Sequence, residues 1–253
     1  MEFIYDDKSV KKQTQGDGYM AVDLGVSNFA ACTIFSNGDA RQFLIDGRRL
    51  KNINHYYNKK VSGLKSEYSK NKSITDTTTP RMMRLMNGRN NRITDYFNRI
   101  CHLLVNACLS YGVSTIVIGY NKNQKQEINL GKVNNQNTVS IPYHKFRQKI
   151  ETLCTEYGIK CISQEESYTS KASAIDGDII PVYGENIDNI IFSGKRIHRG
   201  LYRSSEELYL NADINGSINI LRKYFNKCNE KWLYHNSVRA LVNVPCQRVS
   251  PFA

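Results

Sequence analysis

The stretch Gly18-Tyr19-Met20-Ala21-Val22-Asp23-Leu24-Gly25 is a short apolar run that ends in Asp-Leu-Gly. Two further β-rich runs follow it, Phe29 to Phe35 and Arg41 to Ile45, with the turn residues Ser36-Asn37-Gly38-Asp39 between them. Apolar runs separated by Gly/Asn/Asp/Ser turns predict three antiparallel strands. Outward from there β character is lost, and Ile93, Phe97, Ile100, Cys101, Leu104 and Cys108 fall at helical spacing.

After Tyr111-Gly112, the segment Ser114-Thr115-Ile116-Val117-Ile118-Gly119 is apolar and β-branched almost throughout, as expected of a buried central strand. A polar loop, Asn121 to Asn137, leads to a helical stripe of Phe146, Ile150, Leu153, Cys154 and Tyr157. Gly158 stops that helix before a strand at Ile159 to Gln164. Residues Tyr168 to Tyr209 are turn-rich, and a last helical stripe (Ile214, Ile218, Leu221, Phe225) starts just after Asp213. The order β-β-β, helix, β, helix, β, helix is that of an RNase H-like layer. The expected fold is therefore α/β: three antiparallel strands plus two parallel ones, with a basic helical insertion at about 47–110.

Across 253 residues there are 35 Lys+Arg and 23 Asp+Glu, a formal charge of +12. Arg41 through Arg99 holds 14 Lys/Arg against 4 Asp/Glu, so nearly all the excess lies in one segment interleaved with Tyr56, Tyr57 and Tyr68. Such segregation points to a track for phosphates; a solvated helical face is the plainer alternative. Arg48, Arg49, Lys51, Lys59, Lys60, Arg81, Arg84, Arg89 and Arg92 are the nucleic-acid-binding candidates, joined by Lys195, Arg196 and Arg199 of a second basic stretch. The 40% hydrophobic content excludes a disordered chain. No apolar run reaches the roughly 18 residues of a membrane span, and no signal peptide opens the chain, so a soluble, cytoplasmic protein without a membrane partner is expected. Seven cysteines without a C-x-x-C pair argue for free thiols.

In the expected sheet the end of the first strand lies beside the end of the fourth, and the start of the last helix packs against both. Asp23 and Asp213 then meet in space. Two divalent cations held between such carboxylates serve phosphodiester hydrolysis, and magnesium suits an oxygen-only site. Taken singly, Asp23 also reads as a turn residue and Asp213 as a helix N-cap.

The sequences around these acids carry a resemblance. Ala21-Val22-Asp23-Leu24-Gly25-Val26-Ser27-Asn28-Phe29 resembles the first RuvC motif of TnpB proteins, transposon-encoded RNA-guided nucleases related to type V CRISPR effectors. Asn211-Ala212-Asp213-Ile214-Asn215-Gly216-Ser217-Ile218-Asn219-Ile220 is similar to their third motif, and Tyr168-Thr169-Ser170 to the segment before their zinc ribbon. The resemblance runs from about Tyr19 to Phe225. It implies a RuvC-like nuclease domain at 18–225, a remnant at 1–17 and a tail at 226–253. It also implies DNA and guide RNA as partners, and Asp23, Asp213 and a glutamate as ligands of two magnesium ions.

Three departures qualify it. The family's glutamate at the end of the fourth strand is replaced by Gly119, and Glu165-Glu166 ends the neighbouring strand instead. Alternation puts Glu165 with Cys161 and Ser163 on one face and Glu166 with Ile162 and Gln164 on the other. Glu165 is favoured as third acid and metal ligand, Glu166 is the reserve, and Glu127 the outsider. Between about 168 and 210, where the zinc ribbon belongs, there is no cysteine; Ser170-Lys171-Ala172-Ser173 stands at the first pair and His198 cannot hold zinc alone, so no zinc is expected. Finally, 22 residues precede Asp23, which implies a short or split form, or one working with a second polypeptide. The leading function is a magnesium-dependent, RNA-guided DNA endonuclease. The alternative is a cleavage-inactive binder descended from one, with an actin-like ATPase disfavoured because no second Asp-x-Gly turn ends an apolar strand.

Overall fold

The computed structural model describes residues 16–70, 78–121 and 141–252. Strands β1 (Gly18–Leu24), β2 (Asn28–Ser36) and β3 (Asp39–Asp46) form the expected antiparallel meander, turned at Asn37 and Gly38, both with positive φ. Helices α1 (Arg48–Lys70) and α2 (Pro80–Tyr111) then carry the chain back to β4 (Val113–Tyr120), which lies parallel to β1. Helix α3 (Tyr143–Glu156) leads to β5 (Lys160–Glu165), parallel to β4.

The same physical cues set the helix ends. Thr79 caps α2 by accepting from Met82 N–H, Pro80 occupies its first turn, and Gly112 ends it in the left-handed region with its N–H on the Cys108 carbonyl. Helix α2 extends well beyond the stripe visible in sequence, and α1 showed no stripe at all. Only Leu50, Asn54 and Leu64 of its 23 residues are buried.

Sheet order is β5-β4-β1-β2-β3-β9, a sixth strand having been added by the tail: β9 (Gln247–Val249) runs parallel to β3, with Leu44 opposite Arg248. The five-strand expectation is corrected by that strand. Within the turn-rich region Tyr168 to Tyr209 the second basic stretch forms an antiparallel hairpin, β6 (Lys195–His198) with β7 (Leu201–Arg203), and β8 (Tyr209–Asn211) adds a third strand to it. Strand β8 runs directly into α4 (Ala212–Lys227), and a short helix α5 (His235–Arg239) lies in the tail.

Both faces of the main sheet are buried. Val22, Ile116 and Ile118 face α2 and α3, with Phe97, Ile100 and Phe146. Ala21, Val117 and Ile162 face α4, with Ile214, Ile218 and Leu221. Each such side chain contributes about 1.5–3 kcal/mol by leaving water. The α4 face is the one that positions the site, because Asp23, Gly119 and Glu166 follow Ala21, Val117 and Ile162 by even steps and so share their side of the pleat.

Candidate functional site

Asp23 leaves β1 beneath the start of α4. A Cβ on Gly216 would lie 2.6 Å from Asp23 Oδ2, so the glycine lets helix and carboxylate approach. At the head of α4 the cap is Asn211, whose side chain accepts from the N–H groups of Asp213 (3.0 Å) and Ile214 (3.2 Å). Asp213 is therefore not the N-cap that its position suggested, and its carboxylate is free to face the cleft. There Asp213 Oδ2 accepts from Asn28 Nδ2 at 2.8 Å and Oδ1 from Arg196 Nη2 at 2.8 Å. The Asp-Leu-Gly turn is held by Tyr143, whose hydroxyl donates to the Gly25 carbonyl at 2.9 Å.

The two glutamates stand in places opposite to the sequence preference. Glu165 turns round the edge strand to Lys223, with Oε2 2.5 Å from Nζ, and its other oxygen accepts from Ser167 N–H at 2.5 Å. Burial raises its pKa, but those hydrogen bonds outweigh it and the net shift is downward. Glu166 donates its own N–H to the Tyr120 carbonyl, and its carboxylate fills the space beside Gly119: a Cβ there would meet Glu166 Oε2 at 2.5 Å. The spot vacated by the missing fourth-strand acid thus holds a carboxylate from the next strand.

Electrostatics couple the three acids. Burial pushes Asp23 well above the ordinary carboxylate range, the charges of Glu166 and Asp213 push it further, and Arg196 pulls it back. Burial and then Glu165 raise Glu166 to about 7. Tyr143 is pushed up by burial, with Asp23 and Glu166 adding to it. A set of oxygen donors that resist ionising together suits a hard cation. Among the described residues no three His, Cys, Asp or Glu side chains converge on a common ion position as they stand. Arg196 on Asp213 supplies the positive charge here, through a pair whose partners are 47% and 33% exposed and which is accordingly weak.

The cleft around Asp23 and Asp213 measures about 520 Å³, and Ser27, Lys51, Arg196 and Arg199 line it with them. Of the remaining basic candidates, Arg48 binds the nearby Asp46 at 2.9 Å, and two have tertiary partners: Arg49 lies over the Phe252 ring at 3.5 Å, and Arg89 joins α2 to α1 through Asn54 (2.7 Å) and Tyr57. Lys59, Lys60, Arg81, Arg84, Arg92 and Lys195 are exposed. Glu127 lies outside the described residues.

Where a zinc ribbon was the family expectation, carboxylates tie the loop. Asp178 accepts from Ser173 N–H (2.7 Å), Ser193 N–H (3.0 Å) and the Ser193 hydroxyl (2.5 Å). Asp176 accepts from Ser205 N–H and hydroxyl at 3.0 and 2.7 Å. Sequence reasoning missed Asn28, Asn211 and Gly216. The signal available for them was their place inside the two quoted motifs.

Known proteins resemble this chain in sequence and in fold. Residues 2–125 match the family OrfB of IS605, described as a probable transposase, and residues 143–220 match a Cas12f1-like TNB domain. A TnpB-like protein, ORF457 of Acidianus two-tailed virus, is 26% identical over 214 residues, which cover 83% of this chain and 42% of that protein. The fold resembles that of a Cas12f1–sgRNA–target DNA complex (TM-score 0.57, 17% identity, 84% of this chain and 40% of that one). It also resembles Alicyclobacillus acidoterrestris C2c1 in complex with single-guide RNA (TM-score 0.57, 10% identity, 85% and 40%). The chain spans about two fifths of the length of these relatives. Among the described residues no helix is long and apolar enough to cross a membrane. With residues 2–125 and 143–220 matched by these two families and a TnpB-like relative aligned over 83% of its length, the chain belongs to the TnpB family.

Proposed function

We propose that the chain is the RuvC-type, RNase H-like nuclease portion of a transposon-associated, RNA-guided DNA endonuclease. The observation that carries the reading is that Asp23 feels the charges of both Glu166 and Asp213, while Lys51, Arg196 and Arg199 line the cleft that Asp23 and Asp213 share. Asp23, Glu166 and Asp213 would hold magnesium, with Glu166 taking the role first given to Glu165. When bound, magnesium would polarise the phosphate and lower the pKa of the attacking water. Asn28 fixes the orientation of Asp213, and Arg196 offsets the charge of that carboxylate. Guide RNA and target DNA are the partners, by likeness to one structure that holds sgRNA and target DNA and another that holds single-guide RNA. Base pairing selects the sequence while the protein reads backbone and shape.

The test is cleavage of target DNA by the purified protein with its guide RNA, with and without magnesium. Expected is magnesium-dependent cutting that falls by about a thousandfold, roughly 4 kcal/mol of barrier, in Asp23→Ala and Glu166→Gln. Absence of cutting by the wild type at any magnesium concentration overturns the reading in favour of a binding protein without cleavage.

A further inference from the structure

In the cleft that Asp23 and Asp213 line, two cations converge on one neutral oxygen. Lys51 Nζ donates to Ser27 Oγ at 2.7 Å, and Arg199 Nη2 donates to the same atom. Lys51 comes from the first turn of α1 and Arg199 from the turn between β6 and β7, so separate parts of the chain bring the two charges together. Among the described residues neither has a carboxylate partner. Asp46, the acid nearest in influence to Lys51, is bound to Arg48, and Asp213 is bound to Arg196. A serine hydroxyl accepts from both cations but does not cancel their charge. Burial and the Arg199 guanidinium both press the Lys51 ammonium toward its neutral form. Two like charges held on one hydroxyl are an arrangement that an anion completes.

We infer that Ser27, Lys51 and Arg199 form a phosphate clamp that seats a phosphodiester of a DNA strand next to the one facing Asp23 and Asp213. Ser27 precedes Asn28, whose amide holds Asp213, so clamp and carboxylates are tied to one turn. All of them line the same cleft. A lysine ammonium and an arginine fork together reach both non-bridging oxygens of one phosphate. This inference rests on the nuclease reading of the cleft, and it supplies the register of the strand within it.

The test is binding of a fluorescent twelve-nucleotide oligo-dT to the full chain in EDTA over a range of salt concentrations. Wild type is compared with Lys51→Gln, Arg199→Gln, the double variant and a control, Lys59→Gln/Lys60→Gln. Because the two cations repel each other, the clamp variants are expected to melt no lower than wild type. One phosphate held by two residues predicts that each single variant loses about five- to tenfold in affinity and that the double variant loses little more. Its salt slope should fall by about 0.7, the value for one single-strand phosphate. Additive losses, or losses equal to those of the control, overturn the clamp. Displacement of the Lys51-dependent and Arg199-dependent binding by millimolar inorganic phosphate assigns the site to a free anion and also overturns it. A wild type that shows the clamp signature but never cuts with magnesium leaves the clamp standing and removes the nuclease reading. Cutting with unaltered slopes does the reverse.

Discussion

Glu166, raised to about 7 by burial and by Glu165, makes the site sensitive to pH in a defined direction. An acid whose folded pKa lies above its ordinary value of about 4.3 stabilises the fold fully below that value and loses the contribution as pH rises through 7. Metal-free wild type is therefore expected to lose melting temperature between pH 5 and 8 relative to Glu166→Gln, and the difference between the two proteins should invert if burial does not govern the group. Magnesium needs ionised carboxylates, so its stabilising effect should grow over the same interval. Glu165 belongs to the opposite class, since its pair with Lys223 favours the ionised form. The Lys223 side chain is only 6% exposed, and Glu165→Gln strips it of its counter-charge. That substitution should cost about 1–2 kcal/mol in denaturant unfolding while leaving the cleavage rate within a few-fold of wild type, the converse of Glu166→Gln.

Strand β5 shows why sequence alone did not choose between the two glutamates. Alternation divided them correctly, but the sheet is apolar on both faces, with Ile162 on one side and Cys161 on the other, so no polarity difference marked the side that looks toward Asp23. Only the register with β4, which sets Gly119 against Gln164, brings Glu166 to the vacancy. The buried strands and α2 were legible because each presents a periodic apolar pattern. Helix α1 was not, because three buried side chains in a Lys- and Asn-rich helix leave no period to detect. The ribbon region showed in the sequence its lack of cysteine, its turns and its basic stretch, but not the ties within it, which are long-range, from Asp178 to Ser193 and Asp176 to Ser205. EDTA should accordingly leave the melting curve of the protein as purified, without added magnesium, unchanged, while Asp178→Asn, which removes a buried acceptor of three hydrogen bonds, should destabilise by about 2 kcal/mol. For Asp176, burial raises the pKa but the serine hydrogen bonds lower it on balance. Its contribution is present above the ordinary aspartate value and is lost as pH falls through the depressed one, so this region should loosen in acid. A chelator-induced fall in melting temperature would count against carboxylate ties.

At the scale of the whole molecule, the tail is the part that reading strand by strand left unconnected, and it reaches the site. Trp232 and Tyr234 pack on Phe35 and Phe225, Val238 and Leu241 are buried, and the Gln42 side chain donates to the Val244 carbonyl at 3.0 Å. These contacts carry β9 to the open edge of β3, which removes an exposed strand edge and sets Arg248 beside the cleft. Arg248 Nη2 donates to Asn28 Oδ1 at 3.0 Å, and Asn28 Nδ2 donates to Asp213 Oδ2 at 2.8 Å. The first bond decides which end of the Asn28 amide faces Asp213: with an arginine on the oxygen, the NH₂ group must point at the carboxylate. Arg248 is exposed, so removing it leaves no buried gap, and Arg248→Ala should change unfolding free energy by less than about 1 kcal/mol. The amide is then fixed by Asp213 alone, so Asp213, one of the proposed magnesium ligands, is less firmly oriented. Cleavage should fall about tenfold, and the magnesium concentration giving half-maximal rate should rise with it. Arg248→Lys, which still donates to the Asn28 oxygen, should restore much of both. A loss of rate with unchanged magnesium dependence would instead mean that the tail supports the fold and does not set the carboxylate.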